Sequence, residues 1–488
     1  MNAMDGLSEA LKRWFGFESF RPGQEDVVRD ALAGRDLLAI MPTGGGKSLC
    51  FQLPALLRPG VMVVVSPLIA LMQDQVRLLR DMGVPAAFLN SSLGAAQSAE
   101  VIQSTLSGAL KLLYLAPERL LQTEFLAETL DRIAAGPGLS AFTIDEAHCV
   151  SKWGHDFRPD YRYLGRFIKE FSGDQAPAPV ICLTATAKPE VVTDIIEHFQ
   201  TKAGIELLPL DGGASRTNLA FDVRPTTKNS KLSDVLGVIE ELLPAQGRSG
   251  AVVYCSSRKE TERVAEFLKS QGLDAAHFHA GMSADDKQGV QERFRVGELR
   301  VIAATNAFGM GIDKPDIRLV VHADIPGSLE NYLQEAGRAG RDREDAHCVL
   351  LFAADDVERQ FRLTASSRLA RHEIGAILKA LRRIDERTKK TGKVVATPGE
   401  IVQSEKDLEF QRDSATDDTR VKTAVSWLEE AHLVSREENL VQVFPSSLRV
   451  RTVTEAKTRL MDADLTQAHR KQLLAIVEHL MAAAPDEG

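Results

Sequence analysis

Short uninterrupted apolar runs recur along the first half of the chain, and each is followed by a segment long enough to form a helix. The runs are Leu37–Ile40, Val61–Val65, Leu112–Leu115, Ala141–Ile144 and Val180–Leu183. They are continuous rather than alternating, as strands covered on both faces of a parallel sheet should be. The stretches between them, such as Ala70–Asp81, have helical length and spacing. Alternation of strand and helix implies right-handed βαβ units and a doubly wound α/β sheet. A polar stretch punctuated by Gly212, Gly213 and Pro225 reads as a linker. The pattern then restarts with Ala251–Cys255, Val301–Thr305, Leu319–His322 and Val349–Phe352. The fold predicted is α/β, with two tandem doubly wound parallel-sheet lobes over 1–211 and 212–355. The halves do not repeat each other in sequence, so any symmetry is one of architecture.

Strand signals stop near Asp355. Arg368–Lys393 is basic with a helical pattern, and predicts a helical connector over 356–400. Thr419–His432 has the spacing of an amphipathic helix, and Leu433–Val434, Arg436–Asn439 and Leu440–Phe444 read as strand, turn and strand. A winged-helix-like domain over 401–488 is expected, with Glu455–Met481 as a terminal helix.

Composition narrows the class. The chain has 488 residues, 44% hydrophobic and 26% charged, an ordinary balance for about three globular domains. No run approaches the roughly 18 apolar residues of a membrane span, and Met1–Trp14 lacks the apolar core of a signal peptide. The expectation is a soluble, cytoplasmic protein with no membrane partner. Cys50, Cys149, Cys182, Cys255 and Cys348 are scattered and form no CxxC, which predicts reduced, buried thiols. The net charge of −9 argues against coating nucleic acid by bulk charge, and leaves a local basic groove open.

Three segments carry candidate chemistry. Met41-Pro42-Thr43-Gly44-Gly45-Gly46-Lys47-Ser48 follows the first strand and opens a helix, the context a phosphate-binding loop needs. Glycines let backbone N–H groups wrap a phosphate, and the helix N-terminus adds partial positive charge. Lys47 would reach the β- and γ-phosphates, and Ser48 would bind Mg²⁺. The strict loop pattern begins with glycine, where Met41 stands here. Asp145-Glu146-Ala147-His148 follows the strand Ala141–Ile144. Asp145 would hold Mg²⁺, and Glu146 would orient and deprotonate an attacking water. Gln334–Arg341 lies in the second lobe, where Arg338 and Arg341 share one helix face and could meet charge developing on a γ-phosphoryl group.

These segments resemble superfamily 2 helicases, and the RecQ family in particular, over roughly Leu11 to Phe352. The resemblance implies RecA-like lobes and an ATP-dependent DNA helicase acting with Mg²⁺ on single-stranded and tailed duplex DNA, in the 3′→5′ direction, in repair and recombination. Phe17 and Phe20-Arg21-Pro22-Gly23-Gln24 resemble the adenine-recognition motif, with Arg21 and Gln24 as nucleotide contacts. The loop with Met41 matches the family's own form, and Thr43, Gly44, Gly45 and Gly46 join Lys47 and Ser48 in the expected nucleotide site. Ser66–Gln75 resembles motif Ia, which implies a DNA contact at Gln73; Leu183–Ala187 resembles motif III. Ala304-Thr305 through Phe308–Pro315 resembles motif V and brings in Asp313. Gln334–Arg341 resembles motif VI, with Gln334, Arg338 and Arg341 facing the phosphates. Cys149–Pro159 resembles the family's aromatic-rich loop, which implies DNA contacts at Trp153, His155, Phe157 and Arg158. Trp153, Phe157, Tyr161 and Tyr163 put four aromatics in eleven residues, against 6% for the chain, enough to offer bases a stacking platform.

The match departs at the tail. RecQ proteins commonly carry a four-cysteine zinc module after the core, and no cysteine follows Cys348, so no zinc is expected. Arg368–Lys393 stands in that place, as helical packing or as a track for DNA phosphates. The wing tip Arg436–Leu440 is charged, without an aromatic wedge. Two other readings stay open: an RNA-directed motor, since the DEAH tetrad also occurs there, and an ATP-switched protein that remodels or anneals DNA. The sequence names no protein partner.

Overall fold

The computed structural model describes residues 3–67, 69–90, 93–120, 123–151, 158–173, 176–185, 188–212, 216–306, 308, 314–356, 371–387, 394, 396, 398–404, 415–430 and 434. Except for Val434, the expected wing strands, their turn and the terminal helix lie outside these residues. The chain divides into two compact units, and the first holds both sheets.

The first sheet contains β1 (Leu37–Ile40), β2 (Val61–Val65), β3 (Ala86–Leu89), β4 (Leu112–Leu115), β5 (Leu139–Ile144), β6 (Val180–Thr184) and β7 (Leu208–Asp211). Their order is β3-β4-β2-β5-β6-β1-β7. The second sheet contains β8 (Leu219–Pro225), β9 (Gly250–Tyr254), β10 (Ala275–Phe278), β11 (Val301–Ala304), β12 (Ile317–His322) and β13 (Ala346–Phe352), in the order β10-β11-β9-β12-β13-β8. Neighbouring strands are parallel throughout. The two tandem doubly wound lobes expected from the apolar runs are therefore present.

The central strands β2, β6 and β9 are buried at every position, which is why their sequences are apolar without alternation. Val27, Phe51, Val64 and Tyr114 fill the core on one side of the first sheet. In the second lobe Val235, Val264 and Leu268 cover one face, and Phe278, Phe294 and Phe308 cover the other. The linker is shorter than the polar stretch implied. β7 ends at Asp211 and β8 starts at Leu219, so Leu219–Pro225 is sheet and not linker. Both are outer strands, largely exposed, and carry little of the apolar signal that marks a central strand.

Among the described residues, the second unit gathers the helices Pro117–Leu120, Pro159–Arg162, Arg371–Arg387, Pro398–Gln403 and Ala415–Glu430. Arg420 pairs with Glu373, and Lys422 lies 3.6 Å from Asp160. The expected basic helix is found over Arg371–Arg387, where Arg383 donates to the Ser404 carbonyl at 3.2 Å and Arg387 to the Ser404 hydroxyl at 2.6 Å. Two of its cations thus serve helix packing. All five cysteines are buried. Among the described residues, no helix is long and apolar enough to cross a membrane.

Gly250 opens β9 against the ring of Phe294; a Cβ there would stand 2.6 Å from the ring. Gly250→Val should destabilise the second lobe by about 1–3 kcal/mol through overpacking. Thermal melting checks this, and an unchanged transition would mean the ring is not seated on the strand.

Candidate functional site

The phosphate loop leaves β1 at Met41, whose N–H donates to the Thr184 carbonyl at 2.9 Å. Gly44 and Gly46 take φ of 78° and 83°, a left-handed conformation in which a side chain is strained. A Cβ on Gly46 would also stand 2.2 Å from Gln24 Nε2. Gln24 donates to the carbonyls of Gly46 at 3.1 Å and Gly45 at 3.3 Å, and its Oε1 accepts the Arg21 N–H at 2.7 Å. The Arg21 guanidinium donates to the Gly44 carbonyl. The loop's carbonyls are thus held from the side of the helix Gln24–Leu32. Its N–H groups at Gly44, Gly46, Lys47 and Ser48 take no backbone carbonyl among the described residues. Ser48 stands at the head of the helix Leu49–Leu57, so these donors gather at a helix N-terminus and fit a phosphate. Phe17, 52% exposed, stands on the loop before Gln24.

The acidic pair follows β5, separated from β1 by β6 alone. Asp145 and Glu146 are buried, and Glu146 adopts φ 50°, uncommon for a residue with a side chain. Lys47 Nζ donates to Glu146 Oε1 at 3.1 Å, and His148 Nδ1 lies 3.3 Å from Glu146 Oε2. His148 Nδ1 also lies 3.2 Å from the Thr184 hydroxyl, which ties the end of β5 to the end of β6. Burial, reinforced by the Glu146 charge, pushes the Asp145 carboxyl well above its ordinary range. Burial acts on Glu146 in the same direction but is outweighed by the Lys47 ammonium and by His148, so that carboxyl is held low. A carboxyl raised by desolvation gains most from a cation, and Asp145 beside Ser48's loop is a fitting donor for Mg²⁺.

In the second lobe the helix Leu329–Ala336 is capped by Ser328, whose hydroxyl accepts the Asn331 N–H at 3.1 Å. Gln334 is half-buried, and Glu335 reaches His322 Nε2 at 2.9 Å. Gly337 lies directly on the phosphate loop, where a Cβ would come 2.8 Å from Thr43 Cβ. The two loops are therefore packed together, with nothing larger than glycine allowed between them. Arg338 is buried near Tyr254, whose hydroxyl donates to the Phe308 carbonyl at 2.8 Å. Arg341 is half-buried near the same tyrosine.

The structure thus brings Arg21, Gln24, Thr43, Gly44, Gly45, Gly46, Lys47, Ser48, Asp145 and Glu146 into one site with the Gly337 loop against it. Gln73 is exposed on the helix Ile69–Asp81, and Arg158 precedes the helix Pro159–Arg162 in the second unit. Trp153, His155, Phe157 and Asp313 lie outside the described residues. Sequence reasoning missed Tyr254 and Arg216. Arg216 donates to the Thr43, Gly337, Ala339 and Gly340 carbonyls, and Arg-Thr-Asn after a glycine pair carries no local pattern that would single it out.

The raised carboxyl has a consequence for stability. A group that binds its proton more tightly when folded contributes full stability below its unfolded value, and loses it as pH rises through the folded one. Asp145→Asn keeps the acceptor for the Glu146 N–H, bonded at 3.0 Å, and removes the charge. Without nucleotide or metal it should exceed wild type by on the order of 1–3 kcal/mol near pH 8, the gain shrinking toward about pH 5. Thermal melting across that range checks the sign; a variant less stable at the higher pH would refute the assigned burial cost.

The DEAD/DEAH box helicase family matches residues 21–195, and the helicase conserved C-terminal domain matches residues 230–343. The chain is 42% identical over 346 residues to the ATP-dependent DNA helicase RecQ of Haemophilus influenzae, across 71% of this chain and 53% of that protein. It is 38% identical over 387 residues to the probable ATP-dependent DNA helicase RecS of Bacillus subtilis, across 79% of this chain and 74% of that protein. A structure of Mss116p bound to ssRNA and AMP-PNP superposes with a TM-score of 0.58 at 17% identity, covering 82% of this chain and 89% of the other, a likeness of fold alone. The chain spans about half the length of the bacterial RecQ proteins it matches, 53% and 56%. With both lobes matched in order and RecS aligned over most of its length, the chain belongs to the RecQ family of superfamily 2 helicases.

Proposed function

We propose that this chain is an ATP-dependent DNA helicase that moves 3′→5′ along single-stranded DNA and separates tailed duplexes, in repair or recombination. The observation that carries it is the packing of Gly337 on Thr43, which sets the second lobe's arginine loop against the phosphate loop. The DNA helicases named above support DNA as the track. A cytoplasmic setting goes with such a substrate.

In this reading the N–H groups from Gly44 to Ser48 and the Lys47 ammonium hold the β- and γ-phosphates, and Arg21, Gln24 and Phe17 receive the adenine end. Mg²⁺ bound with the nucleotide would offset phosphate charge, held by Ser48 and Asp145. Lys47 rests on Glu146 in the structure. Phosphates compete for that ammonium, which leaves Glu146 to orient water and take its proton. Arg338 and Arg341, beside Gln334, would supply positive charge from the second lobe, and Asp313 would join the nucleotide contacts. His148 bonded to Thr184 gives a route from the acidic pair to the next strand end. Gln73, Trp153, His155, Phe157 and Arg158 would contact the strand, with the aromatics stacking on bases.

Lys47→Ala should lower DNA-stimulated ATP hydrolysis by at least about 100-fold, with the chain still folded but less stable because buried Glu146 loses its partner. Strand displacement with wild type should require ATP and a 3′ tail. Normal hydrolysis by the variant would reject the site. Hydrolysis without displaced strands would favour a remodelling switch, and equal stimulation by RNA would move the track from DNA.

A further inference from the structure

Arg216 stands in the connection between β7 and β8 and belongs to none of the motifs used above. Its guanidinium spends every donor. Nη1 donates to the Thr43 carbonyl at 3.0 Å and the Gly337 carbonyl at 3.1 Å. Nη2 donates to the carbonyls of Ala339 at 2.5 Å and Gly340 at 2.7 Å, and Nε to Asn218 Oδ1 at 3.3 Å. Asn218 in turn donates to the Gly340 carbonyl at 2.9 Å and the Glu344 carbonyl at 2.8 Å. Burial, then the neighbouring Arg21 charge, lowers the pKa of this cation, and its hydrogen bonds to four carbonyls and Asn218 satisfy the buried donors.

The bonds are unevenly shared. Three carbonyls belong to the arginine loop and one to the phosphate loop. Arg216 is therefore held mainly by the second lobe and meets the first at Thr43. The fit is close on both sides: a Cβ on Gly44 would stand 2.5 Å from Arg216 Nη1, and one on Gly337 would stand 2.8 Å from Thr43 Cβ.

We propose that Arg216 is a positioning residue that fixes the Gln334–Arg341 loop against the phosphate loop, and so sets where Arg338 and Arg341 stand when the lobes close on a nucleotide. The inference rests on the motor reading above. Arginine is required because its five donors lie in one rigid plane, whereas lysine offers three donors from a single point. Arg216 touches carbonyls that phosphate would repel, so it governs alignment and not nucleotide affinity. A misplacement of about 1 Å is enough to slow a positioned reaction on the order of 100-fold.

The test compares wild type, Arg216→Ala and Arg216→Lys, each as the full chain. ATP hydrolysis is measured over a range of ATP at saturating single-stranded DNA, with DNA binding without nucleotide and thermal melting alongside. Both variants should lose about 10–100-fold in kcat, with KM for ATP within about threefold of wild type and DNA binding unchanged. Three outcomes overturn the inference: KM rising while kcat holds, which makes Arg216 a nucleotide ligand; full activity in Arg216→Lys, which makes charge alone sufficient; or a lowered melting point with normal kcat, which makes it packing only. A wild type without DNA-stimulated hydrolysis would remove the motor reading itself, and this inference with it.

Discussion

Two adjacent carboxyls are buried at the end of β5, and the Lys47 ammonium stands against one of them at 3.1 Å. A buried charge left without its partner costs about 3–5 kcal/mol, so the phosphate loop and the end of β5 hold each other in place. Sheet order makes the pairing possible. Only β6 separates β5 from β1, and its last residue, Thr184, touches both neighbours through the Met41 N–H and His148. The left-handed backbone at Glu146 is tolerated because those contacts determine where its side chain must go.

That charge arrangement belongs to the first lobe, and the second lobe's arginine loop is joined to it largely by backbone. Gly337 against Thr43 and Arg216 across four carbonyls leave little slack, because packed backbones have discrete fits rather than a continuous range. Arg338 is buried near Tyr254, whose hydroxyl donates to the Phe308 carbonyl, so the arginine loop lies close to β9 and to the segment following β11.

The apolar runs announced nine strands, each found with its ends shifted by up to three residues: β1, β2, β4, β5, β6, β9, β11, β12 and β13. The others, β3, β7, β8 and β10, all lie at or beside a sheet margin. β3 and β10 are short and alanine-rich, and β7 and β8 expose most of their side chains. Such strands are selected by backbone pairing with a neighbour already in place, which leaves weak traces in side-chain pattern. The phosphate loop and the acidic pair were legible for the opposite reason: their chemistry needs fixed residue types at fixed short spacing.

What the chain determines by itself is therefore local: which segments are buried strands, where glycine must bend the backbone, and which residues can hold phosphate or metal. Which of them meet was decided only by tertiary structure. Lys47 and Glu146 lie 99 positions apart, and Arg216 and Gly337 lie 121 apart. Contacts over such distances come from strand order and lobe packing, and no short pattern encodes them. A carbonyl accepts a hydrogen bond whatever side chain its residue carries, so the acceptors around Arg216 could be recognised only once the fold had gathered them.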